Sequence, residues 1–437
     1  MNENIKWCSI QPLTGGMYLG AEKVIGHPAE FILSFPGIGD PHINKETNEI
    51  DSCGNEYHLM KYLDNVGRRP EYKVFNRKMF QNDNDMNPEI MSSELWTKNP
   101  DVELDYSNMD LCVAVPVCSG LSTVSTGNSD LREERNCNMI WISKYALKVI
   151  QPKIYIFENA PTFMGIRGEY IRNILENIAI ENGYSIDYYK TDTQYHDNCQ
   201  RRKRTFIVFY KKDYAPQMGY EHIMTTVGEY FDRIPNEYKY DDTELSLEFC
   251  NCVNYYIVEF LRKLYGVNTW RNIVGSDIFK HIIKNNLWDD IQRFTETCNI
   301  GSDKHRNYML HFIEHFKKNY SEGRSVFHAL PHTLEQDGTC PAVMFKMVQG
   351  TIHPKSDRLL NLRELMHLMG LPNDFKIYGD PNKGYAQIGQ NVPVRTAQFI
   401  VNEALQAYNR ENDKEDKIRF RYFDNIKQQE NKYLNNI

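Results

Sequence analysis

No stretch of this chain is apolar for long enough to cross a bilayer. Its first residues, MNENIKWCSIQ, have neither the basic start nor the apolar centre of a secretory signal. No membrane association is expected, and the expected setting is the cytoplasm. A disulfide framework is also missing: the ten cysteines in 437 residues follow no such pattern, and reduced thiols are predicted. Cys250, Cys252, Cys298, His305, His311 and His315 share one region, but their spacing fits no zinc pattern, so no metal is expected. Positive charge is not in excess either. The net charge of −7 carries no signature of a nucleic-acid binder, although binding of that kind depends on local patches and not on the sum. Internal repeats are absent.

An α/β alternation is present. KWCSI and AEFILSF read as buried strands, with TGGMYLGAEKVIG between them as a glycine turn and a helix. Residues 40–100 are polar, rich in Asn, Asp and Pro, and predict a loop-rich insertion. DLCVAV is a short apolar run bounded by turn formers, hence a strand. CNMIWISKYALKVIQ is apolar at helical spacing; KIYIFENA is a strand with a polar end, and GEYIRNILENIAIENG an amphipathic helix with a glycine stop. YSIDYYKTD and RTFIVFY complete a mainly parallel, helix-covered sheet. After residue 213 the strands stop and CVNYYIVEFLRKLYG, SDIFKHIIKNNLWDDIQRF and RNYMLHFIEHFKKNY read as helices. The expected organisation is a first part over 1–213, an inserted helical domain over 214–340, a return to the first domain over 341–409, and a charged tail over 410–437 that is a solvated helix or a frayed end.

Four strand or turn ends carry polar residues: Pro116 and Cys118 in AVPVCSGLST, Glu158 and Asn159 in FENA, Arg202 and Arg204 in QRRKR, and Asn391 in QIGQNVP. Singly, each has a plain account: a buried thiol, a helix cap, a solvated basic turn. Their order is more specific. PVCSGLS resembles the Pro-Cys nucleophile loop of the DNA cytosine-5 methyltransferase family, and FENA its Glu-Asn-Val strand end. NCQRRKRTFIVFY is similar to the family's Gln-x-Arg-x-Arg segment. RLLNLRELMHLMGLPNDF and AQIGQNVPVRTAQFI resemble its last two motifs, with the matches running from residue 110 to about 405.

The resemblance implies a Rossmann-like class I methyltransferase sheet, S-adenosylmethionine as cofactor, and double-stranded DNA as partner. It also implies a target-recognition role for the inserted domain, with a restriction endonuclease partner and a bacterial or phage origin as further expectations; oligomeric state is left open. Cys118 would add to carbon 6 of the cytosine. Its thiol would need a pKa lowered from about 8.5 by nearby positive charge. Glu158 would supply the acid at N3, and Arg204 and Arg202 would brace that carboxylate and bond the base carbonyl. A paired base hides carbon 6, so it must flip out; the SGLSTVSTGNSDLREER loop is the expected closing element, with Arg132 and Arg135 at phosphates or in solvent.

The cofactor half departs from the family. Its Phe-x-Gly-x-Gly-Gly turn has two counterparts, FPGIGD at 35–40 and QPLTGGMYLGAE at 11–22; the second lies between a strand and a helix and is preferred. Gly15, Gly16 and Gly20, with Pro116 and Asn391, are therefore the expected cofactor contacts, although Leu13 stands where the family keeps a glycine. The second strand ends in Ser34 and Phe35, not in the acid that would hold the ribose hydroxyls, and Asp40 replaces that acid only if the PGIG turn folds back. Two other outcomes stay open: the same base chemistry with a different or modified cofactor, and a catalytically silent DNA-binding homologue. An RNA methyltransferase is a further member of that set, disfavoured by the size of the inserted domain.

Overall fold

The computed structural model describes residues 4–79, 87–117, 121, 129–235, 252–266, 270–275, 277–323, 332–343, 351–409 and 418–435. Nine strands form its main sheet: β1 (Trp7–Ile10), β2 (Phe31–Ser34), β3 (Glu71–Phe75), β4 (Ile90–Ser92), β5 (Leu111–Ala114), β6 (Ile154–Asn159), β7 (Tyr184–Asp192), β8 (Lys203–Lys211) and β9 (Phe420–Asp424). Their order is β9-β7-β8-β6-β5-β1-β2-β3-β4. β8 runs antiparallel to β6 and β7, and β4 antiparallel to β3; the other neighbours are parallel. The strand order grows outward from β1 in both directions, which makes the carboxyl ends of β1 and β5 a topological switch point.

The central strands are mainly apolar because both faces are covered. Every residue of β1, β2, β5 and β6 is buried. Helices α1 (Gly16–Ile25), α2 (Asn55–Asn65), α3 (Ser129–Tyr145) and α4 (Glu169–Asn182) alternate with them. The stretch 40–100 is not a loop-rich insertion: α2 and β3 both lie within it. Tyr57, Leu59, Met60, Tyr62 and Leu63 of α2 are buried, but interspersed Glu, His, Lys and Asp hid their helical spacing. β3 has five residues, EYKVF, with a buried lysine whose Nζ bonds the Val102 carbonyl.

Two compact units divide the chain. One comprises Met1–Met224, Met369–Gly379 and Asn391–Ile437; the other comprises Thr225–Leu368 and Asp380–Gln390. The first boundary falls beyond 213 because the chain after β8 stays bound to its own sheet: the Tyr189 hydroxyl donates to the Gly219 carbonyl at 2.8 Å, and Glu221 pairs with His196 at 2.6 Å. The second falls beyond 340 because Ile352 and Leu359 join the second unit's core. That core is built by α5 (Cys252–Tyr265), α6 (Trp288–Thr297) and α7 (Asp303–Ser321), where Trp288 and Phe316 pack with ring centroids 4.4 Å apart. Among the described residues no group of three His, Cys, Asp or Glu could hold a metal; Cys250 lies outside them. Burial pushes the Cys252 thiol up to about 11.

The first unit also contains α8 (Val394–Leu405) and α9 (Asn425–Asn435). The tail expected to be solvated or frayed instead supplies β9 and α9. Arg421 donates to both carboxylate oxygens of Asp187 at 2.7 Å, and Asp187 is fully buried. The alternation in IRFRYFD is a strand pattern, hidden by its charge.

Candidate active site

On one side of the switch point the site is set by strand register. β8 pairs with β6 so that Phe206 faces Glu158 and Thr205 faces Asn159. Arg204 therefore leaves β8 beside the end of β6, and its Nε forms an ion pair with Glu158 Oε1. Glu158 is 4% exposed, so removing the guanidinium would strand a buried carboxylate. Arg204 Nη1 also donates to the Lys203 carbonyl at 2.8 Å. Asn159 turns inward, its Oδ1 accepting the Ala160 N–H at 2.9 Å.

β5 lies next to β6 with Ala114 opposite Phe157, so Pro116 and Val117 emerge at the same end of the sheet as Glu158. Pro116 is buried, and the Val117 N–H donates to Asn138 Oδ1 at 3.3 Å. Leu121 is buried, and its carbonyl accepts the Thr162 hydroxyl. Cys118 lies outside the described residues, as do the side chains of Arg132 and Arg135.

Arg202 is placed differently from Arg204. It is 1% exposed, its Nη2 donates to the Asn391 carbonyl at 2.9 Å, and its N–H donates to Asp192 Oδ1 at 2.8 Å. It precedes the start of β8, so the alternation that aims Arg204 at Glu158 does not extend to it. Arg202 thus fastens the turn that carries Asn391.

The other side is an irregular loop, residues 11–16. Gln11, Leu13 and Gly15 have φ of 50°, 53° and 103°. Gly15 adopts such a value freely, whereas a side chain held there costs about 1–3 kcal/mol. Gly16 begins α1; its N–H donates to Asn391 Oδ1 at 2.8 Å, and a Cβ on it would lie 1.7 Å from the Val392 carbonyl oxygen. Its bareness serves a contact within the protein. Gly20 is one turn further along α1 and faces α8, where a Cβ would sit 2.6 Å from that of Ala397. Gly15, Gly16 and Asn391 are brought together beside β1, and Gly20 is set apart by its contact with α8.

A polar cofactor fits this loop on the evidence of two unsatisfied atoms. Among the described residues, Asn391 Nδ2 and Gln11 Oε1 are both buried without a hydrogen-bond partner, and their residues are 2% and 0% exposed. Buried polar atoms rarely stay unpaired unless something else meets them. α1 adds the positive end of a three-turn helix at the same place.

The sequence did not reveal one buried acid. Glu56, the second residue of α2, is completely buried, and its Oε2 accepts the Tyr72 hydroxyl at 2.8 Å. The Ser34 hydroxyl and the Leu13 N–H also favour its ionised form, but desolvation dominates and raises its pKa to about 7. The PGIG turn packs on the start of α2, with the Glu56 N–H donating to the Ile38 carbonyl at 3.1 Å and the Gly54 N–H to that of Asp40 at 2.9 Å. Asp40 itself is exposed. The signal for Glu56 was the acid in a helix's first turn, in a segment read as loop.

Comparison with known proteins agrees with this architecture. A solved E. coli protein assigned as a DNA modification methyltransferase encoded within a prophage superposes with a TM-score of 0.51 at 17% identity, over 93% of this chain and all of that one. Its fold is the class I methyltransferase sheet. Residues 42% identical to the DNA (cytosine-5)-methyltransferase CMT3 of Arabidopsis thaliana extend over 52 positions, 12% of this chain and 6% of the plant protein. A protein of Methanocaldococcus jannaschii assigned as a type II methyltransferase is 44% identical over 52 residues, 12% of this chain and 17% of its own length. The chain thus matches only a small part of these curated relatives. The model of the C-5 cytosine-specific DNA methylases, in contrast, matches residues 71–406, and by that match this chain belongs to the C-5 cytosine-specific DNA methylase family.

Proposed function

We propose that the protein transfers a methyl group from S-adenosylmethionine to carbon 5 of cytosine in double-stranded DNA, through a covalent adduct between Cys118 and carbon 6 of a flipped base. The observation that carries this reading is the buried Glu158–Arg204 pair, one strand from the segment leading into Cys118. Cytosine carbon 5 is a weak nucleophile. Attack of the Cys118 thiolate on carbon 6 breaks the 5,6 double bond and drives electron density toward N3, where Glu158 delivers a proton. Arg204 holds that carboxyl group in place and offers donors to the base carbonyl. After transfer, loss of the proton on carbon 5 restores the double bond and expels the Cys118 thiolate, and N3 returns its proton to Glu158.

S-adenosylmethionine, when bound, supplies an electrophilic methyl. Asn391 Nδ2, Gln11 Oε1 and the start of α1 would hold its polar groups at the loop 11–16, with Gly15, Gly16 and Pro116 as its border. Arg202 acts behind this surface by fixing Asn391. The substrate is double-stranded DNA, and a restriction endonuclease partner is part of the same reading.

Nucleoside mass spectrometry of DNA from cells expressing the protein tests the reaction. A methyl group on cytosine is expected; another added mass would favour a different or modified cofactor, and unmodified DNA a silent homologue. Calorimetry with S-adenosylmethionine and S-adenosylhomocysteine tests the cofactor, with saturable binding expected.

A further inference from the structure

The turn that carries Asn391 leads directly into α8, and one stripe of that helix is braced by residues the base chemistry does not use. Arg395, Phe399 and Glu403 recur every four residues along α8 and so share a face. Arg395 Nη2 donates to Glu221 Oε1 at 2.5 Å, and the Phe399 and His196 rings pack with centroids 4.8 Å apart. The Gly219 N–H donates to Glu403 Oε2 at 2.8 Å.

Glu221 is the centre of this brace. Its second oxygen, Oε2, lies 2.6 Å from His196 Nδ1, and the Thr191 hydroxyl lies 2.7 Å from His196 Nε2. A carboxylate only accepts, so Nδ1 of the ring carries the proton and Nε2 accepts from Thr191. Burial holds the His196 pKa below its ordinary value and favours this neutral ring. Asn425, the first residue of α9, donates through Nδ2 to the Thr191 oxygen at 3.0 Å and to the Glu221 carbonyl at 3.1 Å. His196, Thr191 and Asn425 are all fully buried. Two chains of donors therefore end on one carboxylate, one running from α9 and β7 through His196, the other coming from Arg395. Arg395 stands four residues after Asn391, whose side chain accepts the Gly16 N–H and whose carbonyl accepts from Arg202.

We propose that Glu221 is a positioning residue for the cofactor turn, its carboxylate tying Arg395, and with it the start of α8 and Asn391, to the buried His196. This rests on the reading of Asn391 and residues 11–16 as the S-adenosylmethionine border. Glu221 acts on the ligand through α8. A glutamine in its place has one acceptor oxygen, so its amide nitrogen would face either Arg395 or His196, both of them donors.

The test compares Glu221→Gln, Arg395→Met and the double variant of the full chain. Hydrogen exchange at the Gly16 amide of the ligand-free protein is expected to quicken about tenfold in Glu221→Gln, as loss of a charge-assisted bond implies. Affinity for S-adenosylhomocysteine is expected to fall about tenfold in either single variant. The double variant should fall no further, because both changes break the same link. Exchange of the cytosine carbon 5 hydrogen with solvent, which needs the Cys118 adduct and no cofactor, should keep its wild-type rate, whereas a general loosening of the fold would lower it too. Arg395→Met alters a half-buried residue and serves should Glu221→Gln not fold. Faster Gly16 exchange with no cofactor binding by any form of the protein would uphold the brace and overturn the cofactor reading. Unchanged Gly16 exchange would overturn the brace. So would additive losses in the double variant, or a fall in carbon 5 exchange in step with affinity.

Discussion

Glu158 and Arg204 are aimed by β-sheet register, whereas the loop 11–16, two strands away, is held by turns and a neighbouring asparagine. Register is a rigid device: one residue's slip would turn Arg204 to the opposite face. The loop depends on backbone shapes that two non-glycine residues, Gln11 and Leu13, adopt at some expense. The base side therefore tolerates little change in sequence, and its motif is easy to recognise. The cofactor side reaches its shape through contacts distant in sequence, and its motif is blurred.

The sharpest way to separate the two sides is to disable each alone. Glu158→Gln removes the acid and should lower kcat about 10²–10⁴-fold with S-adenosylhomocysteine affinity retained. It should equally slow exchange of the cytosine carbon 5 hydrogen with solvent, a reaction that needs the Cys118 adduct and no cofactor. Exchange at the wild-type rate in Glu158→Gln would show that the acid lies elsewhere.

The next largest effect concerns stability. Arg421→Ala removes the guanidinium that meets both oxygens of the buried Asp187, so a loss of about 3–5 kcal/mol is expected in urea unfolding. A much smaller loss would mean that β9 is a loose annex to the sheet.

Gly16→Ala attacks the cofactor side. A methyl 1.7 Å from the Val392 oxygen must push α1 away from the turn at Asn391, a clash of about 1–3 kcal/mol. S-adenosylhomocysteine binding should drop steeply while carbon 5 hydrogen exchange persists, the reverse of Glu158→Gln. If both readouts fell together, the two sides would be one mechanical unit.

A pH dependence of similar size is expected from Glu56. Burial raises Glu56 from 4.5 to about 7. The folded state therefore holds a proton that the unfolded chain has released, and stability falls as pH rises through that window, then levels off above it. Glu56→Gln lacks the titration. Its stability relative to wild type should rise by up to about 3 kcal/mol between pH 4.5 and 8, read from urea midpoints. A flat difference would place Glu56 in a solvated setting.

How much was legible follows the same division. The strands KIYIF and RTFIVFY were legible from local pattern, whereas the pairing of Glu158 with Arg204 at their ends was anticipated only through the family resemblance. α2 was not legible, since its buried tyrosines, leucines and methionine are interrupted by Glu56, His58 and Lys61. Nor was the docking of Arg421, because its partner Asp187 lies 234 residues away and looks like any polar strand residue. Arg202 and Gly20 carried the family's spacing, yet their positions are decided by Asn391 and Ala397, from a part of the chain no local pattern links to them.

The central claim is covalent attack by Cys118 on a flipped cytosine. Incubating the protein with S-adenosylmethionine and duplex DNA carrying 5-fluorocytosine blocks loss of the carbon 5 substituent and should trap the adduct. Peptide mass spectrometry is expected to find the nucleotide attached to Cys118, and Cys118→Ser to bind the same duplex without forming the adduct or modifying DNA. An adduct on another residue, or modification by the serine variant, would contradict the account.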